Sequence, residues 1–360
     1  MTIQNQIILF SLLFLTSNYA LAQSDYSELR LDKAGGSMEH VSVLDQGDLG
    51  ICFSYSASQL VDAYRFSHGA DTTQRTSPIE AGIGMGASTI ESILLGTPSS
   101  QIPKHSINDN GGNVCEVIDY FNKKGICPEQ RMLLDQIDPQ QREDVISTLS
   151  DAFYQAGSNP NIKKLLNEVN CTRKSVPGFP ELQDIELLAT ALNKKNVMDF
   201  VNDVLTVQCN STNRLPSFNP KCVRAPLPGF SNLAKEKYQE IIEERLAMNE
   251  PKQPISIGYC SGVLRNGPGF KGIVKMADYD FKIRSEKCGY HESLIIGKRQ
   301  ISYINHLGIT IKYDQYLIRN SWGNDTSSYS PAWETDKGNV WVNADDLLEN
   351  IDSVTYLESR

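Results

Sequence analysis

The apolar pattern of this chain changes period once, near Pro254, and that switch constrains the fold more than any other feature of the sequence. Upstream the spacing is helical. Phe53, Ala57, Leu60, Val61 and Tyr64 mark one face over 52–66, and Val114, Val117, Ile118 and Phe121 mark another over 114–124. Further helical runs cover 142–155, 162–169, 182–207 and 233–248. Downstream the runs are short and strand-like: 254–259, 293–296, a polar hairpin arm through residue 313, 315–318 and 340–342. Residues 67–112, rich in Gly, Ser, Thr and Pro, read as irregular structure, and Pro216, Pro220, Pro226 and Pro228 read as a connection between substructures. There is no internal repeat.

Residues 1–22 stand apart from the fold. They carry no charged side chain, hold an apolar run from Ile7 to Thr16, and close with Ala20-Leu21-Ala22, the pattern of a secretory signal peptide. The run is too short to span a bilayer, so the mature chain is expected to start at Gln23, exported to the periplasm or beyond and without a membrane anchor. The net charge of -9 is spread along the chain rather than gathered in a block, which argues against a nucleic-acid partner. A length of 360 residues suits two lobes better than one core.

Export delivers the eight cysteines to an oxidising compartment, where disulfides form. Keeping Cys52 free leaves an odd number, so another thiol stays unpaired or links chains. A helix over 114–124 would hold Cys115 and Cys127 about 15 Å apart, beyond disulfide reach, so these two are not expected to pair with each other. The expected bridges are Cys260 with Cys288, and Cys209 with Cys222 across the proline-rich loop.

Two distant stretches carry the chemistry. Gln46-Gly-Asp-Leu-Gly-Ile-Cys52 puts a thiol at a helix N-terminus, where the dipole and free N–H groups favour the thiolate. His291 opens a strand, and if 291–296 and 315–320 pair as an antiparallel hairpin, Asn320 returns beside it. The Asn320 oxygen would then hold one ring nitrogen and leave the other facing the thiol, with Trp322 covering that bond. Gln46 would aim an amide N–H at the developing oxyanion, with the Cys52 backbone N–H as second donor. Taken singly, each feature has an ordinary structural reading: half of a disulfide, a hydrogen-bonded strand histidine, a turn with a core tryptophan, a glycine loop at Gly111-Gly112. Their occurrence together, in one order, favours chemistry.

The stretches Q-G-D-L-G-I-C-F-S-Y-S-A (46–57), P-I-S-I-G (254–258), H-E-S-L-I-I-G (291–297) and Y-L-I-R-N-S-W-G (316–323) resemble the papain-like cysteine peptidases, as do N-G-G (110–112) and the later Trp333 and G-N-V-W-V (338–342). In that family His and Asn follow Cys by about 130 to 150 residues; here both intervals are longer by roughly 100, the length of the helical block 131–230. The resemblance implies an α+β fold of two lobes, a helical lobe (23–130) with Cys52 and a β-barrel-like lobe (231–360) with His291 and Asn320, separated in sequence by a helical insertion (131–230). It implies Cys52 as nucleophile, His291 as acid and base, Asn320 as orienter and Gln46 as oxyanion donor. Gly111, Gly112 and Trp322 would contact the substrate. The implied activity is hydrolysis of peptide bonds in peptide or protein substrates through an acyl-enzyme thioester, with no cofactor or metal and with a protein inhibitor as a fitting partner. A peptide ligase on the same site and an inactive binding protein on the same scaffold remain open.

Several positions depart from the family. Leu49 and Asp109 stand where it usually places the two cysteines of one bridge, and Phe53 replaces its usual tryptophan. Glu292 follows His291 where a small residue is common, and its charge is expected to raise the imidazole pKa. Gln23 to Asp45 leaves no room for a long inhibitory propeptide. The 131–230 block is the candidate for shielding or shaping the cleft in its place.

Overall fold

A computed structural model describes residues 28–85, 113–142, 209, 212–225, 233–248, 251–275, 282–284, 288–305 and 307–359. The signal segment, Gly111 and Gly112, Cys171 and the expected helices over 143–207 lie outside these residues. The described chain is α+β. Its helices are α1 (Cys52–Ser67), α2 (Pro78–Gly84), α3 (Val114–Lys124), α4 (Leu233–Ala247), α5 (Gly262–Asn266) and α6 (Ala344–Leu348). Its strands are β1 (Glu28–Arg30), β2 (Lys221–Arg224), β3 (Ile255–Cys260), β4 (Ile273–Lys275), β5 (Lys282–Arg284), β6 (Tyr290–Ile304), β7 (Thr310–Arg319), β8 (Glu334–Asp336), β9 (Asn339–Asn343) and β10 (Ile351–Glu358).

One sheet organises the molecule, in the order β2-β10-β3-β6-β7-β9-β8, with β1 on β6 and every pairing antiparallel. Alternating side chains feed two cores on its two faces. Leu294, Ile296, Leu317 and Trp341 pack with residues of α1, α2 and α3 on one side. Ile295, Tyr316, Ile318, Val340 and Val342 pack with residues of α4, α5 and α6 on the other. Such strands, covered on both faces, read as continuous apolar runs, which is why 293–296 and 316–318 stood out in the sequence.

Helix α1 is buried nearly all round, as a central helix must be. Among its buried polar residues, Asp62 receives hydrogen bonds from the Thr76 backbone N–H and from Arg65, 2.9 and 2.8 Å away. Helix α3 matches its sequence pattern, burying Val114, Val117, Ile118 and Phe121, with the Asn113 side chain capping the Cys115 N–H at 2.9 Å.

The structure corrects several expectations. Residues 67–112 are not uniformly irregular, because α2 starts from Ser77, whose hydroxyl accepts from the Glu80 N–H at 3.0 Å with Pro78 in the first turn. The proline-rich stretch is more than a connection: Lys221–Arg224 pairs with β10 as an edge strand, where Pro220 just before it costs no ladder bond. The hairpin arm is not polar, since Tyr303, Ile304, Leu307 and Ile309 are at least half exposed on it.

Cys209 and Cys222 do not pair with each other. The chain between them lies across α3, with Leu215 bridged to Ile126 and Asn122 bonded to Ser217 and to the Pro220 carbonyl. That path brings Cys222 to Cys115 and Cys209 to Cys127, each pair with Cα atoms 5.4 Å apart. Cys260 and Cys288 form the expected bridge, and Cys115 and Cys127 are not joined to each other. Among the described cysteines only Cys52 is free.

Candidate active site

Cys52 opens α1 with no side chain capping the helix. The first-turn N–H groups of Cys52 and Phe53 are therefore turned to its own sulfur, and the backbone N–H of Glu292 reaches the same atom from β6. The two distant stretches meet here, with the thiol against the amide that follows His291. Burial pushes the Cys52 thiol up to about 12, the charge of Glu292 adds to that shift, and the three N–H groups oppose it.

His291 Nε2 lies 2.6 Å from Asn320 Oδ1. The Ser321 backbone N–H donates to the same Oδ1 at 2.8 Å, and the Ser293 hydroxyl donates to it at 3.1 Å. A backbone N–H can only donate, so this atom is the amide oxygen, and His291 must carry its proton on Nε2. Nδ1 is left with its lone pair. The Asn320 amide donates in turn to the Tyr329 hydroxyl at 3.3 Å. Burial lowers the imidazole to about 4, with Arg265 adding to the shift and the Asn320 bond opposing it. The expected rise of the imidazole pKa from Glu292 is thus reversed. His291 and Glu292 are strand neighbours on opposite faces, and desolvation outweighs any charge on the far face.

Trp322 stands over the imidazole, ring centroids 5.1 Å apart, stacked on Tyr329 behind it and with the Arg265 guanidinium 4.7 Å from its ring. The Gln46 segment pairs with the Asn320 segment: Gln46 N–H donates to Ser321 O at 2.9 Å and Gly323 N–H to Leu44 O at 3.0 Å. The Gln46 amide oxygen accepts from the Ser321 hydroxyl at 2.6 Å, and its NH2 donates to Leu49 O at 2.8 Å. An amide NH2 has two protons, so this arrangement holds the group in place and keeps a second donor. Gly47, at φ 56°, makes the turn and packs on Pro139.

Other residues of the site were not singled out from the sequence. Ser293 and Tyr259 extend the network, their hydroxyls 3.0 Å apart. Ser293 was readable as the residue two positions along the strand from His291, on the same face. Arg142 was not readable. Buried within the expected insertion, it donates to Asp45 O at 2.6 Å, the Tyr55 hydroxyl at 2.9 Å and Leu134 O at 2.9 Å, so it ties the Gln46 loop to α1. Only the folded chain brings it there.

Among the described residues no group of His, Cys, Asp and Glu is arranged to hold a metal ion, and no helix is long and apolar enough to cross a membrane. No family model and no curated protein matches this sequence. Among solved structures, the chain is similar to the SERA5 proenzyme of Plasmodium falciparum at 13% identity and a TM-score of 0.38, covering 89% of this chain and 63% of that one. It is also similar to PepW of Lactobacillus rhamnosis HN001 at 13% identity and a TM-score of 0.41, covering 91% of this chain and 81% of that one. At these values neither likeness assigns an activity.

Proposed function

We propose that this chain is an exported papain-like cysteine endopeptidase, with Cys52 as nucleophile, His291 as general acid and base, Asn320 as orienter and Gln46 as oxyanion donor. The observation that carries the reading is the buried His291–Asn320 bond, which supports the Nε2–H tautomer and a free Nδ1 lone pair on the residue that precedes the Glu292 amide reaching the Cys52 thiol at an uncapped helix N-terminus.

Burial opposes either charge alone. Moving the proton from sulfur to Nδ1 creates both charges together, and their attraction in a dry site offsets the desolvation that holds each one back. The thiolate then attacks the scissile carbonyl, with Gln46 and the Cys52 N–H donating to the oxyanion. The imidazolium returns its proton to the leaving amine, and water hydrolyses the thioester with His291 again as base. In this reading α1 to α3 belong to one lobe, the sheet face carrying His291 to the other, and peptide binds between them, passing Trp322 and Gly111-Gly112. Arg142 supports a role for the 131–230 block in shaping the site, because its first residues brace the Gln46 loop.

The test is a peptide-library assay on the chain from Gln23, with labelling by an iodoacetamide probe. Cleavage lost in both Cys52→Ala and His291→Ala, with label at Cys52, is the expected result. Joined products on adding amines would make the chain a ligase. Label at Cys52 with no turnover of any peptide would leave a binding protein and overturn the reading.

A further inference from the structure

Glu292 is a buried carboxyl that the mechanism above does not use. It is 4% exposed and lies on the sheet face turned toward α1, opposite to His291. Its two oxygens are separately held: the Tyr290 hydroxyl donates to Oε1 at 2.7 Å and the Ser256 hydroxyl to Oε2 at 3.0 Å. Gly258, its partner across β3 and β6, makes the room, since a Cβ there would collide with the Tyr290 and Ser353 hydroxyls and come within 2.9 Å of Oε1. Its backbone N–H meanwhile reaches the Cys52 sulfur. One residue thus touches the thiol by its amide and places a carboxyl behind it.

The groups facing this carboxyl come from every element packed around it. β6 supplies the Tyr290 phenol, β3 the Ser256 hydroxyl, β10 the Asp352 carboxylate and the Ser353 hydroxyl, β2 the Arg224 guanidinium and α1 the Cys52 thiol. We propose that Glu292 is a proton-gated positioning residue: when charged it opposes formation of the Cys52 thiolate, and when protonated it releases that opposition, so that acidification sensitises the nucleophile. The inference rests on the proposed reading of Cys52 as nucleophile. Burial, reinforced by Asp352, raises the Glu292 carboxyl to about 7 against the bonds from Tyr290 and Ser256, which puts the gate between mildly acidic and mildly alkaline pH.

The step is a proton equilibrium alone. Solvent supplies the proton to the carboxylate and receives it back, and no bond to carbon or sulfur changes.

The experiment is the rate of Cys52 alkylation by iodoacetamide from pH 5 to 9 on the full exported chain, in a Cys171→Ser background, with Cys52→Ser as blank. Alkylation rate follows thiolate fraction and falls with basicity, giving a net gain of about threefold for each pKa unit removed. Glu292→Gln is expected to react at least about threefold faster than the parent above pH 8, to match it near pH 5, and to lose the inflection near pH 7. Tyr290→Phe removes a bond that favours the charged carboxyl, so its inflection is expected at higher pH. Superimposable profiles for parent and Glu292→Gln overturn the proposal; if that variant fails to fold, an unmoved inflection in Tyr290→Phe does so. Peptide cleavage is not the readout, so a shifted profile without cleavage rejects the peptidase reading and leaves the gate standing.

Discussion

The two halves of the β6–β7 hairpin share one backbone arrangement and almost nothing else. Over 291–296 and 315–319 the strands are flanked by β3 on one edge and β9 on the other, and Leu294, Ile295, Ile296, Tyr316, Leu317 and Ile318 are fully buried between the two cores. Over 300–304 and 310–314 the same strands pair only with each other among the described residues, and the tip leaves Ile304 at 63% and Leu307 at 69% exposure. Strand pairing runs through both, with one register shift between Ile295 and Gly297. Among the described residues only the base is covered by a core on each face, and only the base carries the candidate site. Precision at a site comes from the covering layers rather than from strand pairing itself.

The largest effect that would sharpen this contrast is expected at Asn320. Asn320→Ala strands three buried donors that now share its oxygen, on His291, Ser293 and Ser321, and frees the imidazole to turn or change tautomer. The expected loss in kcat/KM for any peptide the chain cleaves is about 10²-fold or more, the range for a general acid-base contribution. A loss under about threefold would mean that Trp322 and the strand hold the ring without the amide.

Core substitutions come next. Leu294→Ala in the base removes a fully buried side chain and is expected to cost about 2–5 kcal/mol in urea unfolding. Ile304→Ala in the arm is expected to stay within about 0.5 kcal/mol. Comparable values for the two would break the comparison, because the arm would then be packed against something.

Stability against pH separates the two faces of the base itself. His291 is held at about 4 in the fold against 6.5 unfolded, so between these values the unfolded chain binds the extra proton; this contribution is complete above pH 6.5 and is lost as pH falls. Glu292 is held at about 7 against 4.5, so there the folded chain binds the extra proton; its contribution is complete below pH 4.5 and is lost as pH rises through 7. The neighbours pull in opposite directions across the same window. In the parent the two largely cancel, so Glu292→Gln is expected to unmask a urea midpoint that rises with pH from about 4.5 to 6.5, and a midpoint that falls between pH 5 and 7 in that variant would contradict the assignment.

What the sequence disclosed follows the same division between local pattern and distant contact. The apolar spacing gave α1 and α3 nearly to the residue, and the paired strands around His291 were readable because both faces are buried and the runs are therefore unbroken. The place of Asn320 followed from the hairpin alone. Strand β10 went unread although it lies inside the sheet between β2 and β3, because its alternation of Ser353, Thr355 and apolar residues mixes polar side chains into a buried surface. Helix α2 is only seven residues long, and its one local sign is the Ser77-x-x-Glu80 cap that precedes a short apolar turn. The bridges of Cys115 and Cys127, and the reach of Arg142 into the Gln46 loop, depend on chain paths between remote segments that no spacing encodes.

The smallest effect is expected from the arm. Its turn is self-sufficient: Asn305 Oδ1 accepts from the Leu307 and Ile309 N–H groups at 2.9 and 3.0 Å, and Asn305 N–H donates to Ile309 O at 2.9 Å. Replacing 301–313 by a two-residue Asn-Gly turn therefore orphans no backbone group of the base, while Arg299 and Gln315 still bond each other at 2.8 Å where the new turn would close. Activity is expected within about twofold of the parent, the span of a substitution worth 0.5 kcal/mol. A large fall in kcat/KM with an unchanged urea midpoint would show that the arm reaches substrate, and the division between a precise base and an idle arm would fail at the one place where the two strands are still continuous.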